Sequence, residues 1–145
     1  MDRIEDCISF LAGKAAQRIA RRARERLARH GLTPVQYACL KVLWERDGQS
    51  GAELGQRLVL DSATITGVAD RLEAAGLVER RGDEADRRVH RLFLTRAGAA
   101  LKKPADREMD RLNDEARHIL GGQDAAVRRG LRRLGDPNGD WRGAQ

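Results

Sequence analysis

Aromatic residues are scarce, making up 3% of the 145 positions. β-sandwiches draw on strands rich in Tyr, Phe and Val, so this scarcity, beside 41% hydrophobic and 34% charged residues, points to helical packing built on Ala, Leu and Arg. Cysteine is nearly absent too. Cys7 and Cys39 are too few and too far apart for a disulfide framework, and the three histidines, His30, His90 and His118, follow no metal-ligand spacing. Reduced thiols, no structural metal and no cofactor are expected. No apolar run approaches the roughly 18 residues that span a bilayer, and the opening MDRIEDCISF carries acids where a secretory signal carries bases. A cytoplasmic chain without membrane contact is expected. The sequence also lacks a nucleophile beside a histidine partner, a phosphate-cradling glycine loop and a metal motif, which argues against an enzyme.

What is present is charge. The length suits one domain with an added element for self-association, since single cores are usually built from roughly 100 to 200 residues. A net charge of +6 fits a polyanionic partner. Residues 1–30 carry eight Lys or Arg against four Asp or Glu, whereas residues 50–96 carry eight of each. A polyanion-binding face in the second segment must therefore come from segregating acids and bases onto different sides.

From Asp2 to about Arg29 the apolar positions Ile4, Ile8, Leu11, Ala15, Ile19, Ala23 and Leu27 recur every three or four residues, the mark of one long amphipathic helix. At 1.5 Å per residue such a helix is about 40 Å long, more than so small a core covers, so part of it is expected to pack on a second subunit. Gly31 stops it. Thr33 and Pro34 then read as a cap followed by a first-turn proline, opening a helix to about Glu45 whose apolar set is Val35, Ala38, Cys39, Val42 and Leu43.

Asp47 and Gly48 break the chain, and Ser50 caps a short helix containing Glu53, Leu54 and Leu58. Asp61 and Ser62 offer the next cap, for a helix that buries Ile65, Val68, Ala69 and Leu72 and ends at Gly76. Two short helices joined this tightly read as a helix-turn-helix. Leu77 to Arg81, the polar stretch GDEADRR and the alternating Val89 to Leu94 then read as a β-hairpin. Thr95 opens a further helical run with apolar positions Ala99, Leu101, Ala105, Met109, Leu112, Ala116 and Ile119. Pro104 should bend or break it near Ala100. Gly121 and Gly122 precede a last helix with Val127, Leu131 and Leu134, and residues 135–145 read as a flexible tail. The fold class is thus mainly α with a small β-hairpin.

Three stretches, LTPVQYACLKVLW (32–44), ATITGVADRLEAAGLVERR (63–81) and DEADRRVHRLFLTRAG (83–98), resemble the MarR family of bacterial regulators, a resemblance that covers about residues 4–134. It implies a winged helix-turn-helix homodimer, with residues 31–96 as the DNA-binding domain and residues 1–30 and 97–134 as dimerisation helices. Such a dimer reads an inverted repeat in double-stranded DNA. By the same resemblance the helix from Ser62 enters the major groove through Ser62, Ala63, Thr64, Thr66, Gly67 and Arg71, and the wing brings Asp86, Arg87 and Arg88 to the minor groove. Gly67 stands where similar proteins often carry Arg or Lys. Small hydroxyl residues at a helix N-terminus let the backbone approach DNA and bond phosphates or base edges. A guanidinium suits a narrow, electronegative minor groove, and Asp86 is positioned to orient Arg88 through a charge-assisted bond.

The resemblance further implies a small effector, often aromatic or anionic, that lowers DNA affinity. By position Leu11, Ala15, Arg18, Tyr37, Leu40, Trp44 and Met109 are candidates to line its pocket, although residues of this kind are more often plain core. The basic run RIARRARER (18–26) suits a carboxylate or an acyl-CoA. Two alternatives stay open: a thiol-based redox sensor using Cys7 or Cys39, and a winged-helix module that binds only protein.

Overall fold

The first helix begins later than its apolar repeat suggests. In the computed structural model, which describes residues 3–139 and 141, a 3-10 turn at Ile4–Asp6 leads into an extended Cys7, and helix α1 follows as Ile8–Leu27. The expected start at Asp2 lies outside the described residues. Of the stripe on α1 only Ala23 and Leu27 are buried, while Ile8, Leu11 and Ile19 are 62%, 45% and 50% exposed. A 3-10 turn, Ala28–His30, ends at Gly31 in the left-handed conformation, φ 67°, which favours a residue without Cβ.

Helix α2, Pro34–Glu45, starts from a reciprocal capping box. The Gln36 N–H donates to Thr33 Oγ1 (3.3 Å) and the Thr33 N–H to Gln36 Oε1 (2.8 Å). Its Cys39, Leu40, Val42 and Leu43 are buried in the core. A two-residue strand that no local pattern announces, β1 (Gln49–Ser50), follows, and Ser50 also caps helix α3, Gly51–Leu58. There the Glu53 N–H donates to Ser50 Oγ (3.2 Å) and the Ser50 N–H to Glu53 Oε2 (2.8 Å).

Helix α4, Ser62–Ala74, is capped by Asp61, whose Oδ1 accepts the Thr64 N–H at 2.7 Å. It buries Ile65, Val68, Ala69 and Leu72, the four positions its periodicity selects. Two hydrogen bonds close it, from the Gly76 N–H to the Glu73 carbonyl and from the Leu77 N–H to the Leu72 carbonyl, both 2.9 Å. Val59, at the end of α3, carries φ 55°, an unusual conformation for a β-branched residue.

Strands β2 (Val78–Gly82) and β3 (His90–Leu94) form the hairpin, with Val78 opposite Leu94 and Gly82 opposite His90. β1 pairs with the other edge of β3, giving an antiparallel sheet of order β1-β3-β2. The helical run after Thr95 is divided: α5 is Arg96–Ala100, and α6, Lys102–Leu120, starts beyond Leu101 with Pro104 in its first turn. The break expected near Ala100 thus falls at Leu101. A 3-10 turn, Gly121–Gln123, precedes α7, Asp124–Leu134.

Two compact units result, Met1–Met109 and Asp110–Gln145. The first holds the hydrophobic core, from Leu27 through α2, α3, α4 and the sheet to Ala105. In the second, Arg128 Nε donates to both carboxylate oxygens of Asp124 at 3.0 Å, and Val127, Leu131 and Leu134 are exposed. Of the tail expected to be flexible, residues 140 and 142–145 lie outside the described residues.

Candidate nucleic-acid interface

The burial of Ile65, Val68, Ala69 and Leu72 turns the opposite side of α4 outward. Ser62, Ala63, Thr64, Thr66 and Arg71 are exposed, and a Cβ added at Gly67 would meet nothing within 4 Å. Arg71 has no ion-pair partner among the described residues. The Thr64 N–H, with the helix start around it, holds the Asp61 carboxyl below the usual carboxylate range, so the cap is charged at neutral pH. The open face of α4 offers hydroxyls and backbone N–H groups at its N-terminal end, and the guanidinium of Arg71 in its last turn, to an acceptor-rich surface.

The hairpin tip is shaped by carboxylates. Asp83 Oδ1 accepts the N–H groups of Ala85 (2.8 Å) and Asp86 (3.3 Å), and Asp86 Oδ1 accepts both the N–H and the Nε of Arg88, at 3.0 and 3.3 Å. The Arg88 side chain is otherwise bare, 93% exposed. Arg87 is exposed beside it.

Two further arginines, which the sequence did not single out, tie this hairpin down. Arg80 on β2 donates to Asp70 Oδ1 (2.6 Å) and Glu73 Oε2 (2.7 Å), and these α4 carboxylates raise its pKa further. Arg91 on β3 donates through Nε to Asp83, and through Nη1 to the Gly48 carbonyl and to Glu53 Oε2, each at 3.0 Å. The Arg91 bond, aided by the Ala85 and Asp86 N–H groups, keeps the Asp83 carboxyl below its ordinary range. The only local hint of either arginine was a charge inside a strand pattern.

The seven effector candidates do not share one environment. Leu40 is fully enclosed in the core, and Tyr37, Trp44 and Met109 pack against that core. The Tyr37 and Trp44 rings meet edge to face, with centroids 5.8 Å apart. Tyr37 Oη donates to Asp106 Oδ1 (2.9 Å), which also receives Lys41 Nζ (2.8 Å), while Lys102 Nζ binds Oδ2 at 3.0 Å. Burial alone would push the Asp106 carboxyl up, but these three donors prevail and hold it low. Leu11, Ala15 and Arg18 are exposed on α1. A separate cleft of about 460 Å³, bordered by Thr66, Asp70, Arg80, His90 and Leu92, opens between α4 and the sheet. None of the seven lines it.

The two thiols differ. Cys7 Sγ lies 3.1 Å from Ser9 Oγ at the start of α1, and this contact, with the Phe10 and Ser9 N–H groups, lowers its pKa. Burial pushes the Cys39 thiol up to about 11. Among the described residues no group of three or more His, Cys, Asp or Glu could hold a metal ion, and no helix is long and apolar enough to cross a membrane.

Comparison with known proteins gives this geometry a context. The family model described as "MarR family" matches residues 32–90, from the capped α2 to the first residue of β3. The HTH-type transcriptional regulator TtmR of Methylorubrum extorquens is 44% identical over 103 residues, 71% of this chain, and the match spans 53% of that protein, about half its length. The organic hydroperoxide resistance transcriptional regulator of Bacillus subtilis is 32% identical over 103 residues, 71% of this chain and 70% of its own. The crystal structure of CouR from Rhodococcus jostii bound to p-coumaroyl-CoA aligns with a TM-score of 0.80 and 25% identity, covering 95% of this chain and 98% of that one. The matched range holds the open-faced α4, β2 and the wing loop, and with the identity to the Bacillus subtilis regulator it places the chain: it belongs to the MarR family of winged helix-turn-helix transcriptional regulators, a family of DNA-binding proteins rather than enzymes.

Proposed function

We propose that the chain acts as a homodimeric cytoplasmic repressor that reads an inverted-repeat operator and releases it when a small anionic or aromatic effector binds. The observation that carries this reading is the open N-terminal face of α4 beside a wing whose Arg88 projects almost fully into solvent. Ser62, Ala63, Thr64, Thr66, Gly67 and Arg71 would meet the major groove, and Arg88, with Arg87 and Asp86, the adjacent minor groove. The bare apolar faces of α1 and of α7 support a dimer, because exposed stripes of that kind call for a partner. The excess of base over acid in residues 1–30 supports an anionic effector, as does the likeness to CouR, which was crystallised with an acyl-CoA. Leu11, Ala15, Arg18, Tyr37, Leu40, Trp44 and Met109 remain its candidate contacts, with Leu40 reachable only if the core opens.

The experiment is a titration of the DNA flanking the chain's own gene with wild type and Arg88→Ala at two salt concentrations, with and without aromatic acids and acyl-CoAs. Salt-dependent binding that weakens in the variant and is relieved by one of these compounds is expected. No binding to that DNA at low salt would sink the operator reading, and indifference to every compound would sink the effector. A second reading, thiol control, is favoured by the lowered pKa of Cys7 at a helix start and by the likeness to a hydroperoxide resistance regulator. DNA release by peroxide in wild type but not in Cys7→Ser would replace the ligand reading with this one.

A further inference from the structure

We infer that Arg91 is a positioning residue for DNA recognition: it holds the wing loop in the geometry that presents Arg88, without touching DNA itself. The inference rests on the reading that Arg88 contacts DNA and extends it to a residue on the side of the sheet that pairs with β1.

The loop from Glu84 to Arg88 is exposed throughout and contributes no buried side chain to the core. Apolar packing therefore cannot fix its shape, and polar anchors must. Asp83 is the anchor at its base. One of its oxygens receives the Ala85 and Asp86 N–H groups, which fold the turn, and the other receives Arg91 Nε. The same guanidinium reaches the Gly48 carbonyl and Glu53 Oε2, the carboxylate oxygen that accepts the Ser50 N–H in the α3 capping box. Arg91 thus links three segments: the wing loop, the turn before β1 and the start of α3. From Asp83 the connection continues through the Asp86 N–H and the Asp86 carboxylate to Arg88.

An exposed ion pair would contribute little. This one is partly sheltered, with the Asp83 side chain 15% and the Arg91 side chain 34% exposed, and what sets it apart is geometry: the planar guanidinium spreads its bonds over acceptors in three segments, which an ammonium on a flexible stem holds less well. A loop already held in its bound shape loses less entropy on docking, so the consequence falls on affinity for DNA more than on folding.

The test is a double-mutant cycle with the intact protein: wild type, Arg88→Ala, Arg91→Lys and the double variant. Each is titrated on two duplexes derived from the DNA flanking the gene, with A/T or G/C pairs outside each half-site. Arg91→Lys keeps the charge and loses the fork. It should weaken binding to the A/T-flanked duplex roughly three- to thirtyfold, weaken binding to the G/C-flanked one less, and leave helical content intact. The double variant should bind no more weakly than Arg88→Ala alone. Should Arg91→Lys fold poorly, Asp83→Asn, which keeps the oxygen for the turn and drops the charge, should give the same pattern. Losses that multiply in the double variant, or wild-type affinity in Arg91→Lys, would overturn the positioning role while leaving Arg88 in place. Unchanged binding in Arg88→Ala on both duplexes would overturn the reading of Arg88 and this inference with it.

Discussion

Gly98 and the Leu77 carbonyl are so close that a Cβ added at Gly98 would lie 2.0 Å from the Leu77 oxygen. That oxygen already accepts the Thr95 N–H (3.1 Å), and the Gly98 carbonyl accepts Trp44 Nε1 (3.0 Å). α2, the start of β2 and α5 therefore meet at a point with no space for a methyl group. Gly98→Ala should destabilise the protein by about 2 kcal/mol or more, because backbone rather than a flexible side chain must move. Urea unfolding followed by circular dichroism measures this, and a midpoint equal to wild type would refute the packing described.

Val59 presents the opposite case. It is 66% exposed and left-handed, so its side chain adds little packing while its backbone bears the cost of that conformation. Val59→Asn should stabilise the fold by about 1 kcal/mol, since Asn tolerates this region far better than a β-branched residue. A lower melting temperature in the variant would contradict this.

The cap of α4 should show itself in acid. Because the folded-state pKa of Asp61 is depressed, its charged form stabilises the fold fully above the unfolded value of about 3.9, and the gain is lost as pH falls through the lower folded value. Asp61→Asn keeps an acceptor but does not titrate. The melting-temperature difference between wild type and this variant should be constant from about pH 7 to 5 and shrink from about pH 4 to 2. A difference that persists unchanged at pH 2 would show that the charge of Asp61 contributes nothing.

Thiol chemistry should separate the two cysteines. Iodoacetamide at pH 7.5 should label Cys7 well before Cys39, since one pKa is lowered at a helix start and the other is raised to about 11 by burial. Peptide mass spectrometry reads the order, and equal labelling in the folded protein would mean that Cys39 is not enclosed.

Self-association should depend on the bare apolar faces. Ile19→Glu on α1 and Leu131→Glu on α7 replace exposed side chains, so neither should unfold the chain, yet each should raise the dimer dissociation constant at least about tenfold. Sedimentation equilibrium decides, and a wild-type monomer at micromolar concentration would remove the dimer altogether.

Much of the fold was legible because its signals are local. Thr33, Ser50, Asp61 and Thr95 cap helices as their neighbours suggest, and the buried side of α4 follows from a period of three to four residues. β1 was not legible, since two residues carry no alternation and their pairing with β3 is a tertiary event. Arg91 was hidden for the same reason: its three acceptors come from segments distant in sequence. The DNA-contact positions on α4 and in the wing came from the family resemblance rather than from any local pattern, and their exposure leaves them available for that role without testing it. The effector candidates were harder to sort, because an apolar side chain such as Leu40 has the same sequence signature whether it faces a ligand or another side chain.

The empty space at Gly67 has an evolutionary consequence. Replacing glycine inside a helix gains up to about 1 kcal/mol of helix propensity, and here an added Cβ would meet no atom within 4 Å on the outward face of α4. Replacement by alanine at this site therefore meets no steric cost, and a longer side chain starts from open space. If α4 meets DNA as proposed, preference for one sequence over another can drift there through stable intermediates, while the buried side of the same helix stays constrained.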